Sequence, residues 1–217
     1  QAKHKEKRIP TGHYPASIEV NPNNNKIYVT NNKDNTVSVI DGTTNKEITK
    51  IIVGQGPAGM EINPKNNEVY VTNSRDNTIS VIDGSLNIVV ATLNVGKKPI
   101  AVGVNDEQNL LYVSDMDDAT IRAIDMKDNL SMYIVSKIPT ENHPSGIAIG
   151  TSKDNKTTII YASNTDSNSI SVIDGTRNMV KKVIQVEARP IDIDINNNTR
   201  KLYVSHALSN ILSVIDT

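Results

Sequence analysis

The chain has 217 residues with no Cys, Trp or Phe, so its core must be built from Ile, Val, Leu, Ala and seven Tyr. It carries 23 basic against 24 acidic side chains, a formal net charge of −1, which excludes strong electrostatic attraction to nucleic acid or an anionic membrane. No run approaches the roughly 18 apolar residues of a membrane-spanning helix, and the absence of Cys leaves the redox compartment open.

In chain order, residues 5–12 read as a short strand. Behind Pro15, the alternation Ile18, Glu19, Val20 marks a second strand with one face buried. Asn21 to Asn25 form an Asn-rich turn, because Asn tolerates positive φ and bonds its own backbone. Residues 26–30 and 36–40 alternate again and predict two more strands, separated by a polar turn at 32–35. Asp41 and Gly42 open a hairpin turn, and residues 47–53 make the next strand.

This pattern then recurs. Tyr28, Tyr70, Tyr112, Tyr161 and Tyr203 are spaced 42, 42, 49 and 42 residues apart. Asp41, Asp83, Asp125, Asp174 and Asp216 keep the same phase, as do Pro15, Pro57, Pro99, Pro144 and Pro190. A unit of roughly 40–45 residues holding four antiparallel strands has the size of a propeller blade. The expectation is an all-β, five-bladed β-propeller forming one domain over residues 1–217. Its units lie at 15–54, 57–96, 99–142, 144–187 and 190–217. The fifth unit stops at its third strand, and residues 5–12 stand in the phase of residues 47–54. The N-terminal strand is therefore expected to complete the last blade and close the ring. A segment of a seven-bladed ring is the alternative. The 49-residue spacing is assigned to residues 136–143, three longer than their equivalents, and residues 150–158, four longer.

The quartets Tyr28-Val29-Thr30-Asn31 and Tyr70-Val71-Thr72-Asn73 resemble the YVTN family of β-propeller repeats. So do the downstream runs Ser38 to Gly42, Ser80 to Gly84 and Ser171 to Gly175. Later copies drift, to Tyr112-Val113-Ser114-Asp115, Tyr161-Ala162-Ser163-Asn164 and Tyr203-Val204-Ser205-His206. The resemblance covers essentially the whole chain. It implies an exported protein, extracellular, cell-surface or periplasmic, since such repeats occur in archaeal surface-layer and bacterial periplasmic proteins. It implies no single activity, because relatives include lactonase-like and nitrous-oxide-reductase-like propellers.

One rim of such a ring collects the connections between blades. There His13, Lys97, Lys98, His143, Arg189 and His206 are candidate ligand-binding residues. A metal held jointly by His13, His143 and His206 is weighed against solvated histidines too far apart to share an ion, and the latter is favoured. The innermost strands line the channel and bring Glu19, Glu61, Asp192 and Asp194 from neighbouring blades. Oxygen ligands of this kind suit Ca2+ or another divalent cation, and the competing reading is carboxylates in water. The repeated Asp of the Asp-Gly turns is read as capping its own turn. Asn129, Asn155 and Asn197 carry glycosylation sequons in turns. No nucleophile elbow, phosphate loop or zinc-protease motif is present. The expected function is a binding or scaffold propeller with no required cofactor. Its expected partner is a protein or glycan at the cell surface, and it acts as a monomeric domain or within a larger assembly. A lactonase-like or metal-dependent hydrolase is the alternative.

Overall fold

The structure is a computed structural model that describes residues 6–127 and 131–217. Among the described residues nineteen strands form five antiparallel sheets, each following the order of the chain from the innermost strand outwards. Blade one holds β1 (Pro15–Asn21), β2 (Lys26–Asn31), β3 (Thr36–Asp41) and β4 (Lys46–Ile52). Blade two holds β5 (Pro57–Asn63), β6 (Glu68–Asn73), β7 (Thr78–Asp83) and β8 (Ile88–Asn94). Blade three holds β9 (Pro99–Asn105), β10 (Leu110–Asp115), β11 (Thr120–Asp125) and β12 (Tyr133–Pro139). Blade four holds β13 (Pro144–Thr151), β14 (Thr158–Asn164), β15 (Ser169–Asp174) and β16 (Met179–Gln185). Blade five has three strands, β17 (Pro190–Asn196), β18 (Lys201–His206) and β19 (Leu212–Asp216).

Asn sets the turns. Asn25, Asn67 and Asn109 close the turns after the innermost strands with φ of 54°, 60° and 53°, and Asn45, Asn87 and Asn178 do the same at the outer hairpins. The repeated Asp accepts backbone N–H groups of its own turn. Asp41 Oδ1 takes Thr43 N at 2.7 Å, and Asp83 Oδ1 takes Ser85 N at 2.8 Å. That is the structural role expected for it.

The core lies between blades. Tyr28 of blade one packs with Met60, Ile62, Val69 and Val71 of blade two. Tyr70 does the same against blade three, Tyr112 against blade four and Tyr161 against blade five. Tyr28, Tyr70 and Tyr112 are fully buried, and each burial of a side chain this size is worth roughly 1.5–3 kcal/mol.

A second device repeats with the Tyr. The register of each innermost strand slips after its Pro, as between Pro57 and Met60 in β5. The hydroxyl two residues beyond the Tyr fills that bulge: Thr30, Thr72, Ser114 and Ser163 each accept the N–H of Ser17, Gly59, Ala101 and Gly146 at 2.8 Å. The same hydroxyls donate across to the next blade, to the carbonyls of Ala58, Ile100, Ser145 and Ile191. At Gly59 the neighbouring backbone comes so close that a Cβ would stand 2.1 Å from the Ile100 oxygen, which requires glycine there.

Two sequence expectations are corrected. Residues 6–12 form no strand, and the sheet of blade five has three strands, so the described part of the N-terminal segment does not complete the last blade. Pro10, at the position of Ile52, offers no N–H to a ladder. Consecutive innermost strands pack on one another from β1 through β5, β9 and β13 to β17, while β17 and β1 make no comparable contact. β11 ends at Asp125 and β12 begins at Tyr133, so the three extra residues of blade three fall between these strands and not in residues 136–143. The connection from β12 to Pro144 is as short as its counterparts. The longer turn between β13 and β14 falls where the spacing placed it, closed by Ser152 N to Thr157 O at 2.8 Å.

Candidate functional site: the connector rim and the channel

Each blade is entered through a connector that the preceding structure holds in place. Tyr14, Gly56, Lys98, His143 and Arg189 occupy the same position in it, all with φ between 53° and 66°. For a non-glycine side chain that left-handed backbone costs energy and persists only where the surroundings enforce it. Here the carbonyl of each of these residues accepts the N–H of Asn32, Ser74, Met116, Thr165 and Ala207 at 2.9–3.1 Å. Carboxylates fix the other end of the connector. Asp34 accepts His13 N at 2.8 Å, Asp76 accepts Gln55 N at 2.6 Å, and Asp118 accepts Lys97 N at 2.9 Å. Bonding to His13 holds the Asp34 carboxyl below its ordinary range.

Three of the expected rim residues meet on this frame. Lys98 Nζ stands 3.8 Å from Asp117 Oδ1, and His143 Nε2 stands 3.8 Å from the same oxygen. His143 Nδ1 is 2.5 Å from Asp166 Oδ2, and Arg189 Nη1 is 3.2 Å from Asp166 Oδ1. The result is a ladder in which Lys98, His143 and Arg189 alternate with the carboxylates Asp117 and Asp166 across blades three, four and five. Lys97 is exposed beside it. Asp117 and Asp166 were not singled out in the sequence. The signal was there: the second residue after the YVTN quartet is Lys33 and Arg75 in blades one and two but acidic in blades three and four.

The histidines do not converge. His13 bonds Asp34 through Nδ1 at 2.8 Å in blade one. His206 is buried, with Nδ1 3.2 Å from the Ala188 carbonyl and Nε2 2.8 Å from Ser213 Oγ. It stands where Asn31 bonds Ser38 at 3.0 Å, so it belongs to the interior bracing of blade five and not to the rim surface. Blade three makes a different exchange at the same place. Asp115 and Arg122 replace the Asn and Ser, paired through Oδ2 and Nε, and Arg122 Nη2 continues to Asp118 at 3.1 Å. Burial pushes the Asp115 carboxyl up to about 6 against the pull of Arg122.

The channel gathers the innermost strands of all five blades around a cavity of about 650 Å³. Glu19, Glu61, Asp192 and Asp194 all line it, as the sequence expected. Burial pushes the Glu61 carboxyl up to about 7, with the charges of Glu19 and Asp194 adding to the effect. Burial raises Glu19 as well. Asp192 and Asp194 each accept the N–H of the following residue, Ile193 at 3.0 Å and Ile195 at 2.8 Å. Among the described residues no three His, Cys, Asp or Glu side chains stand close enough together to hold a metal ion. Of the sequon residues, Asn155 and Asn197 are exposed, and Asn129 lies outside the described residues. Asn155 Oδ1 accepts Arg200 Nη2 at 2.7 Å.

No curated protein matches the chain. A hydrazine synthase structure from Kuenenia stuttgartiensis matches with a TM-score of 0.80 at 20% identity, over 100% of this chain and 66% of that one. A functionally unknown protein from Desulfotomaculum acetoxidans matches with a TM-score of 0.80 at 12% identity, over 94% and 70%. The β-propeller domain of Myceliophteria thermophila Cps50 (Swd1) matches with a TM-score of 0.74 at 10% identity, over 94% and 65%. At these identities the likeness is one of fold, and the chain spans about two thirds of the length of the structures it resembles. The model of the YNCE-like β-propeller family matches residues 8–217, and the chain belongs to that family.

Proposed function

We propose that the protein is an exported or cell-surface binding and scaffold propeller with no catalytic activity of its own. The observation that carries this reading is the connector rim. Its backbone is locked by repeated hydrogen bonds, and it presents a ladder of carboxylates alternating with Lys98, His143 and Arg189 across three blades. Rigid presentation lowers the ordering cost of binding, and a row of carboxylates interleaved with hydrogen-bond donors selects a polar partner by complementarity. A protein or glycan of the cell surface has that chemistry, and the repeat resemblance supports export. The test is binding of the purified chain to arrays of cell-wall glycans and of purified secreted proteins. The same assay is run on Arg189→Ala and on Lys98→Ala with His143→Ala. A partner that wild type retains and both variants lose supports the proposal. Binding that is indifferent to the ladder overturns it.

A second reading rests on Glu61. A carboxyl with a pKa near 7 in a channel is suited to general acid or base catalysis, as in a lactonase-like hydrolase. Turnover of a lactone panel, with and without Ca2+ and other divalent ions, that vanishes in Glu61→Gln would establish this reading in place of the first.

A further inference from the structure

Asp34, Asp76 and Asp118 clamp their connectors by the same backbone bond but differ in what else they meet. In blade one the ring of His13 bonds Asp34 through Nδ1 at 2.8 Å. In blade three Arg122 Nη2 reaches Asp118 at 3.1 Å while its Nε pairs with Asp115. That guanidinium packs so tightly under the connector that a Cβ at Gly96 would collide with Nη2. In blade two Asp76 forms no ion pair among the described residues, and the adjacent Arg75 turns away to Asn32 O at 2.6 Å.

The strand register extends the comparison residue by residue. Asn73 and Ser80 of blade two stand where Asp115 and Arg122 stand in blade three. With serine in place of arginine, a cavity of about 380 Å³ opens between blades one and two. Asp76, Thr78 and Ser80 give it polar atoms, and Ile52, Val53 and Val89 give it apolar surface. Its frame is also one hydrogen bond short. Asn73 Nδ2 donates to Thr78 and Ser80 at 3.0 and 2.9 Å, but Asn73 Oδ1 is buried with no partner among the described residues. The matching Asp115 Oδ1 takes Gly96 N at 3.1 Å.

We propose that this cavity receives the guanidinium of an arginine side chain carried by a peptide or protein partner. Blade three holds the same group in the same corner as part of its own chain. The incoming guanidinium donates to Asp76 and to the second lone pairs of the Thr78 and Ser80 hydroxyls, and its aliphatic stem lies along Ile52, Val53 and Val89. A planar fork spans these acceptors together, whereas an ammonium is a point charge. No basic residue lines the cavity, so nothing there holds the carboxylate of free arginine. The site lies apart from the ladder of blades three to five and does not rest on it.

The test is a titration of the isotope-labelled intact chain, followed by amide NMR, with acetyl-Gly-Arg-Gly-amide, its lysine counterpart and free arginine. The arginine peptide should shift the amides of Gly54, Gln55 and Asp76 saturably, with a dissociation constant on the order of millimolar. The lysine peptide should bind about tenfold more weakly. Asp76→Asn, which can still accept Gln55 N, should weaken the arginine peptide by about tenfold or more. Asn73→Asp restores the charge found in blade three and should tighten binding several-fold. Asn73→Asp with Ser80→Arg copies blade three, fills the cavity with its own guanidinium and should abolish binding, with a thermal melt to show that it folds. Should that double variant unfold, Asp76→Asn decides alone. No saturable shift, equal binding of the lysine peptide, or full binding by Asp76→Asn overturns the proposal. Free arginine binding about tenfold more tightly than the peptide would mark a small-molecule site and overturns it too.

Discussion

At the scale of single residues, the repeated Tyr and the channel carboxyl of Glu61 can each be tested alone. Tyr70 is fully buried against blade three, with its hydroxyl donating to Glu68 Oε2 at 2.5 Å. Tyr70→Ala should cost about 3–5 kcal/mol in chemical denaturation, as large-to-small substitutions of buried aromatics do. Tyr203→Ala, at the same repeat position but half-buried, should cost clearly less. Glu61 makes a prediction in pH. Its carboxyl titrates near 7 when folded, against 4.5 for an ordinary glutamate, so the folded chain holds its proton longer than the unfolded one. Stability should therefore fall as pH rises from the ordinary glutamate range to about 7. Glu61→Gln should flatten that fall and stabilise the protein at pH 8 by on the order of 1–3 kcal/mol, measured by urea unfolding across pH. A decline of equal size in the variant would assign the effect to other groups.

At the scale of the blade, the bulge and its hydroxyl join two sheets with one residue. Thr72 accepts Gly59 N at 2.8 Å and donates to Ile100 O at 2.9 Å. Thr72→Val keeps the shape, leaves both groups unpaired, and should cost on the order of 1–3 kcal/mol. Ser205→Ala should cost less than about 0.5 kcal/mol, since that hydroxyl is exposed and bonds only its own blade. Thermal melts decide it, and equal losses at the two positions would mean that Ser205 also has a partner across an interface. Blades were legible in the sequence because period-two alternation, Asn turns and Asp-Gly hairpins all report local backbone geometry. The channel acids were legible for the same reason, since a residue's place after the repeated Pro sets which way it faces. The charge ladder was not, because Asp117 and Asp166 matter through neighbours in other blades, and pairing between blades leaves no local period. His206 misled in the opposite way. Its place at the end of the quartet suggested the rim surface, but the geometry that recurs at that position in other blades is an interior bond to the third strand.

Over the whole molecule, the repeat dictates the blades but not their closure. Five blades follow from local pattern. Closure depends on residues 6–12, which stand in the right phase but pair with nothing in blade five. The exposed pairs Ile18 with Val20 and Leu212 with Val214 mark the two faces that remain. Thr30 and its counterparts show what such a face looks like when it is covered. The central claim is that β19 is a sheet edge and that the arc is open. Native-state hydrogen exchange, resolved by residue, tests it most directly on the unaltered chain. The amides of residues 6–12 should exchange freely. The outward-facing amides of β19 should exchange orders of magnitude faster than those of β3, β7 and β15, each of which is covered by a fourth strand. Protection of residues 6–12 and β19 equal to that of β15 and β16 would mean that the ring closes on its own N-terminal strand, and would contradict it.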